Sequence, residues 1–279
     1  MTAVGSAQDG RAGNAGSGSN GFLVLKEVSK DFGALKAIDK VSFEVKEGQI
    51  FAVIGPNGAG KTTIFNVLTG QYPATGGAAT FRGQSLLGLP PHKVCELGIA
   101  RTYQIVRVFD NMSVMENVEV GRHCRTKAGV LDALLDSARA RSERSACHNV
   151  GLELLTFVGL TRYRDELARN LPLGLRKRLQ VARALATDPS VLLLDEPTGG
   201  MNPSEKEEMM SLIKTVRDRG ITVLLVEHDM SVVMGISDWI VVLDYGVKIA
   251  EGVPSDIQNN EVVIEAYLGR GFADEPAQG

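Results

Sequence analysis

The chain alternates between two hydrophobic rhythms. "FLVLKEVSKDF" (22–32) and "VSFEVKEG" (41–48) place apolar residues at every second position, the pattern of strands with one face buried. "QIFAVIG" (49–55) is apolar throughout and predicts a strand buried on both faces. A helix is expected from Gly60 to about Leu68, ending near Gly70. "AATFRGQSL" returns to strand character, and "LPPHKVCELGI" carries proline where a helix would start.

From about Asn111 to Asn170 the spacing is mainly helical and richer in charge. "RTKAGVLDALLDSARARSERSACHNVGLELLTFVGL" reads as an inserted helical subdomain whose basic middle is a solvated face. Strand and helix then alternate. "VLLLDE" and "ITVLLVEHD" are short buried strands. Between them, "SEKEEMMSLIKTVRDRG" is an amphipathic helix with glycine just past its end. "WIVVLDYGVKIAEG" reads as a hairpin turning at Asp244-Tyr245-Gly246. Buried strands alternating with helices predict an α/β fold with a parallel core sheet.

Bulk properties narrow the partners. There are 279 residues, with 30 lysines and arginines against 33 acids, and a pI near 5.9. That near-balance argues against a dedicated nucleic-acid binder. The three cysteines, Cys95, Cys124 and Cys147, show no metal-ligand spacing and read as reduced thiols. No apolar run is long enough to span a bilayer. "MTAVGSAQDGRAGNAGSGSN" lacks the apolar segment of a signal peptide, so residues 1–20 read as a flexible tail, as do residues 270–279. A cytoplasmic protein, reaching any membrane only through partners, is the expectation.

"GPNGAGKTT" (55–63) fits the phosphate-loop pattern, following a predicted strand and opening a predicted helix. Gly55, Gly58 and Gly60 let the backbone curl around Pro56, Asn57 and Ala59, so that successive N–H groups point inward at a helix N-terminus. Lys61 would reach the β- and γ-phosphates; Thr62, followed by Thr63, would hold Mg²⁺. Asp195 ends the buried run "VLLLDEP", where it can hold Mg²⁺ through water. Glu196 follows as candidate general base on the attacking water. Taken alone, "VLLLDEP" is equally readable as an exposed acidic turn. No N-K-x-D segment for reading guanine is present.

In this order and spacing, "GPNGAGKTT", "RTYQ", "VLLLDEPTGGMNP" and "VLLVEHD" resemble the ATP-binding cassette of ABC transporters, over about Leu23 to Gly269. The resemblance implies a P-loop NTPase cassette: a RecA-like parallel sheet core, an antiparallel β subdomain and a helical subdomain over about 111–175. It implies ATP and Mg²⁺ as cofactors. Phe32 matches the aromatic that stacks on adenine, although a strand-end core aromatic is the alternative. Gln104 in "RTYQ" matches the glutamine that meets Mg²⁺, the attacking water and the membrane subunit. His228 matches the histidine on the γ-phosphate, and "GGMNPSE" the loop that crosses to the partner cassette. His92, His123 and His148 match nothing and read as surface residues.

"FNVLTGQYPATGG", "GIARTYQIVRVFDNMSVMENV" and "NNEVVIEAYLG" lie outside the phosphate chemistry. They are similar to the larger ATPase subunit of branched-chain amino acid uptake systems; related cassettes serve urea, amides or other carboxylates. The resemblance implies a second ATPase subunit, in a heterodimer or homodimer, two membrane permease subunits, an external solute-binding protein, and a place at the cytoplasmic face of the inner membrane. A soluble, non-transport ABC ATPase is the other reading, but such proteins usually join two cassettes or carry a long coiled coil, and neither is present.

"LPLGLRKRLQVARAL" (171–185) occupies the place of the family signature, commonly L-S-G-G-Q, which serves the partner's γ-phosphate. Leu171, Gly174, Arg176 and Arg178 fit. Pro172 replaces the serine, Leu173 the first glycine and Leu175 the glutamine. Proline brings neither hydroxyl nor N–H. The segment is therefore either a tolerated helix cap or the weaker half of a composite site.

Overall fold

The computed structural model describes residues 21–125 and 137–271. The tail expected at 1–20, the later part of the one at 270–279, and the start of the charged helical stretch lie outside them.

Two sheets carry the fold. The smaller holds β1 (Leu23–Phe32), β2 (Leu35–Val45), β4 (Gly76–Phe81) and β5 (Gln84–Ser85) in the antiparallel order β2-β1-β4-β5. The larger runs β10-β9-β3-β8-β7-β6. Its members are β3 (Ile50–Ile54), β6 (Ile99–Arg101), β7 (Val191–Asp195), β8 (Thr222–Val226), β9 (Trp239–Asp244) and β10 (Val247–Gly252). From β9 to β6 the strands are parallel. β10 pairs antiparallel with β9 through the two-residue turn Tyr245-Gly246. Both turn residues have positive φ (45° and 81°), the twist that suits a tight hairpin.

β3, β7 and β8 are buried at every residue because both faces of the large sheet are covered. Side chains divide by the period of two. Val191 and Leu193, with Leu224 and Val226, join a core shared with the small sheet. Leu192 and Leu194, with Val223 and Leu225, join one shared with the helices. On the small-sheet side lie α1 (Lys61–Leu68) and α2 (Pro91–Glu96, with Pro91 in its first turn). The helical layer contains α3 (Val114–Arg122), α4 (Ala138–Phe157) and α5 (Leu173–Leu185). Arg141, Ser142, Arg144 and Ser145 of α4 are exposed, as a solvated face requires. α6 (Pro203–Asp218) starts with an Asn202–Glu205 capping box and is followed by Gly220. α7 (Met230–Ile236), α8 (Pro254–Gln258) and α9 (Glu261–Gly271) complete the described chain; α9 runs two residues past Gly269.

Two strand segments escape the periodic reading. β2 begins at Leu35, not near Val41, because shifts in its register against β1, beside left-handed Glu27 and Lys40 (φ 47° and 49°), break the alternation. β6 is three residues long, too short to show a period.

Candidate active site

The parallel sheet brings the candidate residues together. β6, β7, β8 and β3 are neighbours, and the chain leaving the carboxyl end of each carries one part: the Gln104 loop, Asp195-Glu196, His228 and the phosphate loop. This is the edge at which open parallel sheets bind ligands.

After β3 the chain must turn in almost no space. Gly55 has φ 146°, and a Cβ there would lie 2.0 Å from the Leu243 carbonyl oxygen. Gly60 has φ 101°, with the Ala37 oxygen 2.6 Å from where a Cβ would be. Ala59 N–H donates to Pro56 O (3.2 Å) and Ile64 N–H to Gly60 O (3.0 Å), so the curl feeds directly into α1. Lys61 is 7% exposed, and its ammonium donates to Gly55 O (2.6 Å) and Pro56 O (2.9 Å) inside the curl.

A cavity of about 460 Å³ opens beside this loop. Asn57 to Thr63 line it, with Phe32, Leu35, Tyr245, Gln104 and Glu196. Phe32 is 44% exposed and stands edge-on to Tyr72 at 5.3 Å, so it is not the core aromatic the alternative required.

Glu196 is held by its backbone and its side chain alike. Its φ of 47° puts a non-glycine residue in the left-handed region, strain that persists only where surroundings enforce it. The enforcement is visible. Its N–H donates to Val226 O (2.9 Å), and its carbonyl accepts from Lys177 Nζ (2.8 Å) and Gly199 N–H (3.2 Å). Its carboxylate accepts from Gln104 Nε2 (2.8 Å), with His228 Nδ1 3.6 Å away. Its side chain is 21% exposed, so "VLLLDEP" does not end in an exposed acidic turn. Burial holds the Lys177 ammonium below its usual pKa, opposed by the carboxylates of Glu227 and Glu196. Glu227 is fully buried and accepts from the Thr198 N–H (2.8 Å) and hydroxyl (2.6 Å), fixing the turn after Glu196.

Asp195 ends the buried strand β7, as the sequence predicts. Its side chain is 2% exposed and does not line the cavity. Oδ2 accepts from Arg101 at 2.6 Å, while Oδ1 is buried without a partner. A buried carboxylate oxygen without a hydrogen-bond partner, with the oxygens of Thr62 and Gln104 in the adjoining cavity, is a donor set that suits Mg²⁺.

Leu171 to Leu175 do not line this cavity. Leu171 and Gly174 are buried; Pro172 and Leu173 are exposed at the start of α5. Pro172 caps α5 without any side-chain bond. The first helical bond is Arg176 N–H to Pro172 O (3.0 Å), so the N–H groups of residues 173 to 175 have no partner within the helix. Cations in that first turn oppose the helix dipole. They are answered by acceptors: Arg176 donates to Asp110 (2.6 Å), Arg178 to Glu208, and Lys177 to the Glu196 carbonyl.

Arg101, Lys177 and Tyr267 were not singled out from the sequence. Tyr267 on α9 packs against the apolar cluster around Ile54, and its hydroxyl is buried without a hydrogen-bond partner. Burial pushes its pKa up to about 12. The only local signal is the place of Arg101, a charged residue three positions ahead of Gln104.

Residues 38–199 match the family model described as "ABC transporter", and 247–273 the one described as "Branched-chain amino acid ATP-binding cassette transporter". Over 252 residues the chain is 43% identical to the high-affinity branched-chain amino acid transport ATP-binding protein LivG of Salmonella typhimurium, covering 90% of this chain and 99% of that protein. The crystal structure of the ADP conformation of MJ1267, an ATP-binding cassette of an ABC transporter, superposes with a TM-score of 0.78 at 30% identity, covering 89% of this chain and 98% of the other. A dimeric post-hydrolysis state of the cassette MJ0796, bound to ADP and Pi, superposes at 0.71 with 25% identity, over 83% and 98%.

Proposed function

The chain belongs to the ATP-binding cassette family of ABC transporters, and from that premise we propose that it hydrolyses ATP to drive uptake of branched-chain amino acids through separate membrane subunits. The carrying observation is that Gln104 and Glu196 meet in the lining of the phosphate-loop cavity, with His228 Nδ1 3.6 Å from the Glu196 carboxylate. The relationship to LivG supplies the solute class.

The residues divide the work. The N–H groups of the loop and of the start of α1 receive the phosphates, and Lys61 exchanges its carbonyl partners for phosphate oxygens. Thr62, Asp195 and Gln104 would hold Mg²⁺, which when bound would offset charge on the phosphates. Glu196 takes the proton of the attacking water, its carboxylate aimed by Gln104 and its backbone locked on three sides. His228 stands beside Glu196, where its imidazole meets the γ-phosphate. Among the described residues no helix is long and apolar enough to cross a membrane, so attachment falls to the permease subunits. The groove of about 550 Å³ between sheet and helical layer, reached by Tyr103, Arg107, Phe109 and Val120, is the place for them, because it adjoins the Gln104 loop. A solute-binding protein delivers the amino acid outside.

Phe32 stacks on adenine. Phe32→Ala should weaken ATP binding about 5- to 150-fold, the value of one base–aromatic stack. GTP should suffer equally, since stacking does not read hydrogen bonds. Equilibrium binding of the two nucleotides checks this, and an unchanged ATP affinity would remove the residue from the site.

A second cassette completes the site head to tail. The start of α5, with its free N–H groups, faces the partner's γ-phosphate but offers no serine hydroxyl. In a heterodimer, the ATP on this chain is therefore hydrolysed faster than the ATP on the partner. Replacing Glu196 here, and the matching glutamate of the partner, one at a time in the assembled transporter, should give unequal losses of turnover, larger for Glu196. Equal losses would leave the signature segment as an ordinary helix cap.

A further inference from the structure

Arg101 ends β6, three residues before Gln104. Its side chain is 5% exposed, and it is the cation on Asp195, at 2.6 Å. The same guanidinium donates to Asn66 Oδ1 of α1 at 2.5 Å and lies over the rings of Phe65 (5.6 Å) and Tyr103 (5.0 Å). One side chain thus joins three parts of the site: the helix of the phosphate loop, the strand end bearing Asp195, and the root of the Gln104 loop. Two atoms are left over, Asp195 Oδ1 and Arg101 Nε, both buried and without a partner.

A carboxylate buried to this degree requires a positive partner, and removing one member of such a pair is far costlier than never having had it. A metal ion arriving with nucleotide would approach a carboxylate whose charge Arg101 already offsets. We propose that Arg101 is a positioning residue: it serves as a resident counter-ion that holds Asp195 in place before the metal arrives, and it lowers the pull of that carboxylate on the metal. This rests on the reading of Asp195 as a metal-holding group. Arg101 takes no part in the chemical step. Its effect is to keep Asp195, Asn66 and the Gln104 loop in register while leaving Oδ1 for the incoming cation.

The charge account predicts opposite signs for two readouts, which a merely structural arginine would not. Arg101→Met in the full chain, free of nucleotide and metal, should melt lower by on the order of 10 °C, the scale for breaking a buried pair in a domain of this size. With ATP, the Mg²⁺ concentration giving half-maximal binding of a fluorescent ATP analogue should fall, by about tenfold, because the carboxylate is no longer offset. The double variant Arg101→Met/Asp195→Asn buries neither charge and should melt above Arg101→Met. An unchanged melting temperature in Arg101→Met, or a Mg²⁺ half-point that stays or rises, would overturn the proposal. If Arg101→Met does not fold, recovery of folding in the double variant supports it. Failure of both while Asp195→Asn folds overturns it. A wild-type chain that binds no analogue at any Mg²⁺ concentration would sink the nucleotide reading, and the metal-free melting comparison would still judge the ion pair.

Discussion

Glu196→Gln should retain ATP binding and lose steady turnover by about 10²- to 10⁴-fold, the range for removing a general base. The amide is nearly isosteric. Its oxygen can still accept from Gln104 Nε2, now at 2.8 Å, and the backbone bonds to Val226, Lys177 and Gly199 do not involve the side chain. The strained φ of 47° is therefore still enforced, and the melting temperature should move little. What the variant lacks is a basic lone pair of carboxylate strength facing the attacking water. ATP should consequently persist on the protein and favour closed pairs of cassettes. Turnover per site and nucleotide retention, measured on the same preparation, check both halves. Wild-type turnover would remove Glu196 as the base; loss of binding would mean that the carboxylate is structural.

Gly55→Ala should be the most damaging glycine-to-alanine change among the described residues. The added carbon would lie 2.0 Å from the oxygen and 3.0 Å from the carbon of the Leu243 carbonyl, and Leu243 is fully buried in β9. Neither side can retreat, because β3 and β9 are paired through Ile54 and Val242. The backbone must also keep φ near 146°, a region that alanine avoids. A loss of at least about 4 kcal/mol is expected, the class of overpacking combined with backbone strain. The loop would also shift from the position in which Gly55 O receives Lys61, so nucleotide affinity should fall too. Gly58→Ala is the control. Its φ is 80°, but nothing lies within 4 Å of the new carbon, so only the left-handed penalty of about 1–2 kcal/mol applies. Thermal melting of the two variants separates clash from strain, and equal losses would contradict the close approach to Leu243.

The features legible in the sequence were those written locally. Four residues between glycine and Gly60-Lys61-Thr62, and acids directly after four apolar residues, place functional groups by spacing alone. The parallel sheet then sets them side by side. The strands β3, β7 and β8 were equally plain, because burial on both faces leaves no polar position. Other features depend on contacts between distant segments. Arg101 meets Asp195 across 94 positions, and Lys177 meets Glu196 across 19. Neither pairing has a periodicity or a spacing to give it away. Phe32 required the fold to show that its ring stands open over the cavity and not inside the core. The first half of β2 was hidden because register shifts interrupt the alternation by which strands are recognised.

The central claim is that ATP turnover on this chain drives amino acid import. The direct measurement is uptake of labelled leucine into liposomes that contain the cognate membrane subunits, this chain, its partner cassette and the binding protein. Uptake should require ATP on the cassette side, compete with isoleucine and valine, and collapse with Glu196→Gln. ATP-dependent uptake that ignores leucine, or leucine uptake that survives Glu196→Gln unchanged, would contradict the account.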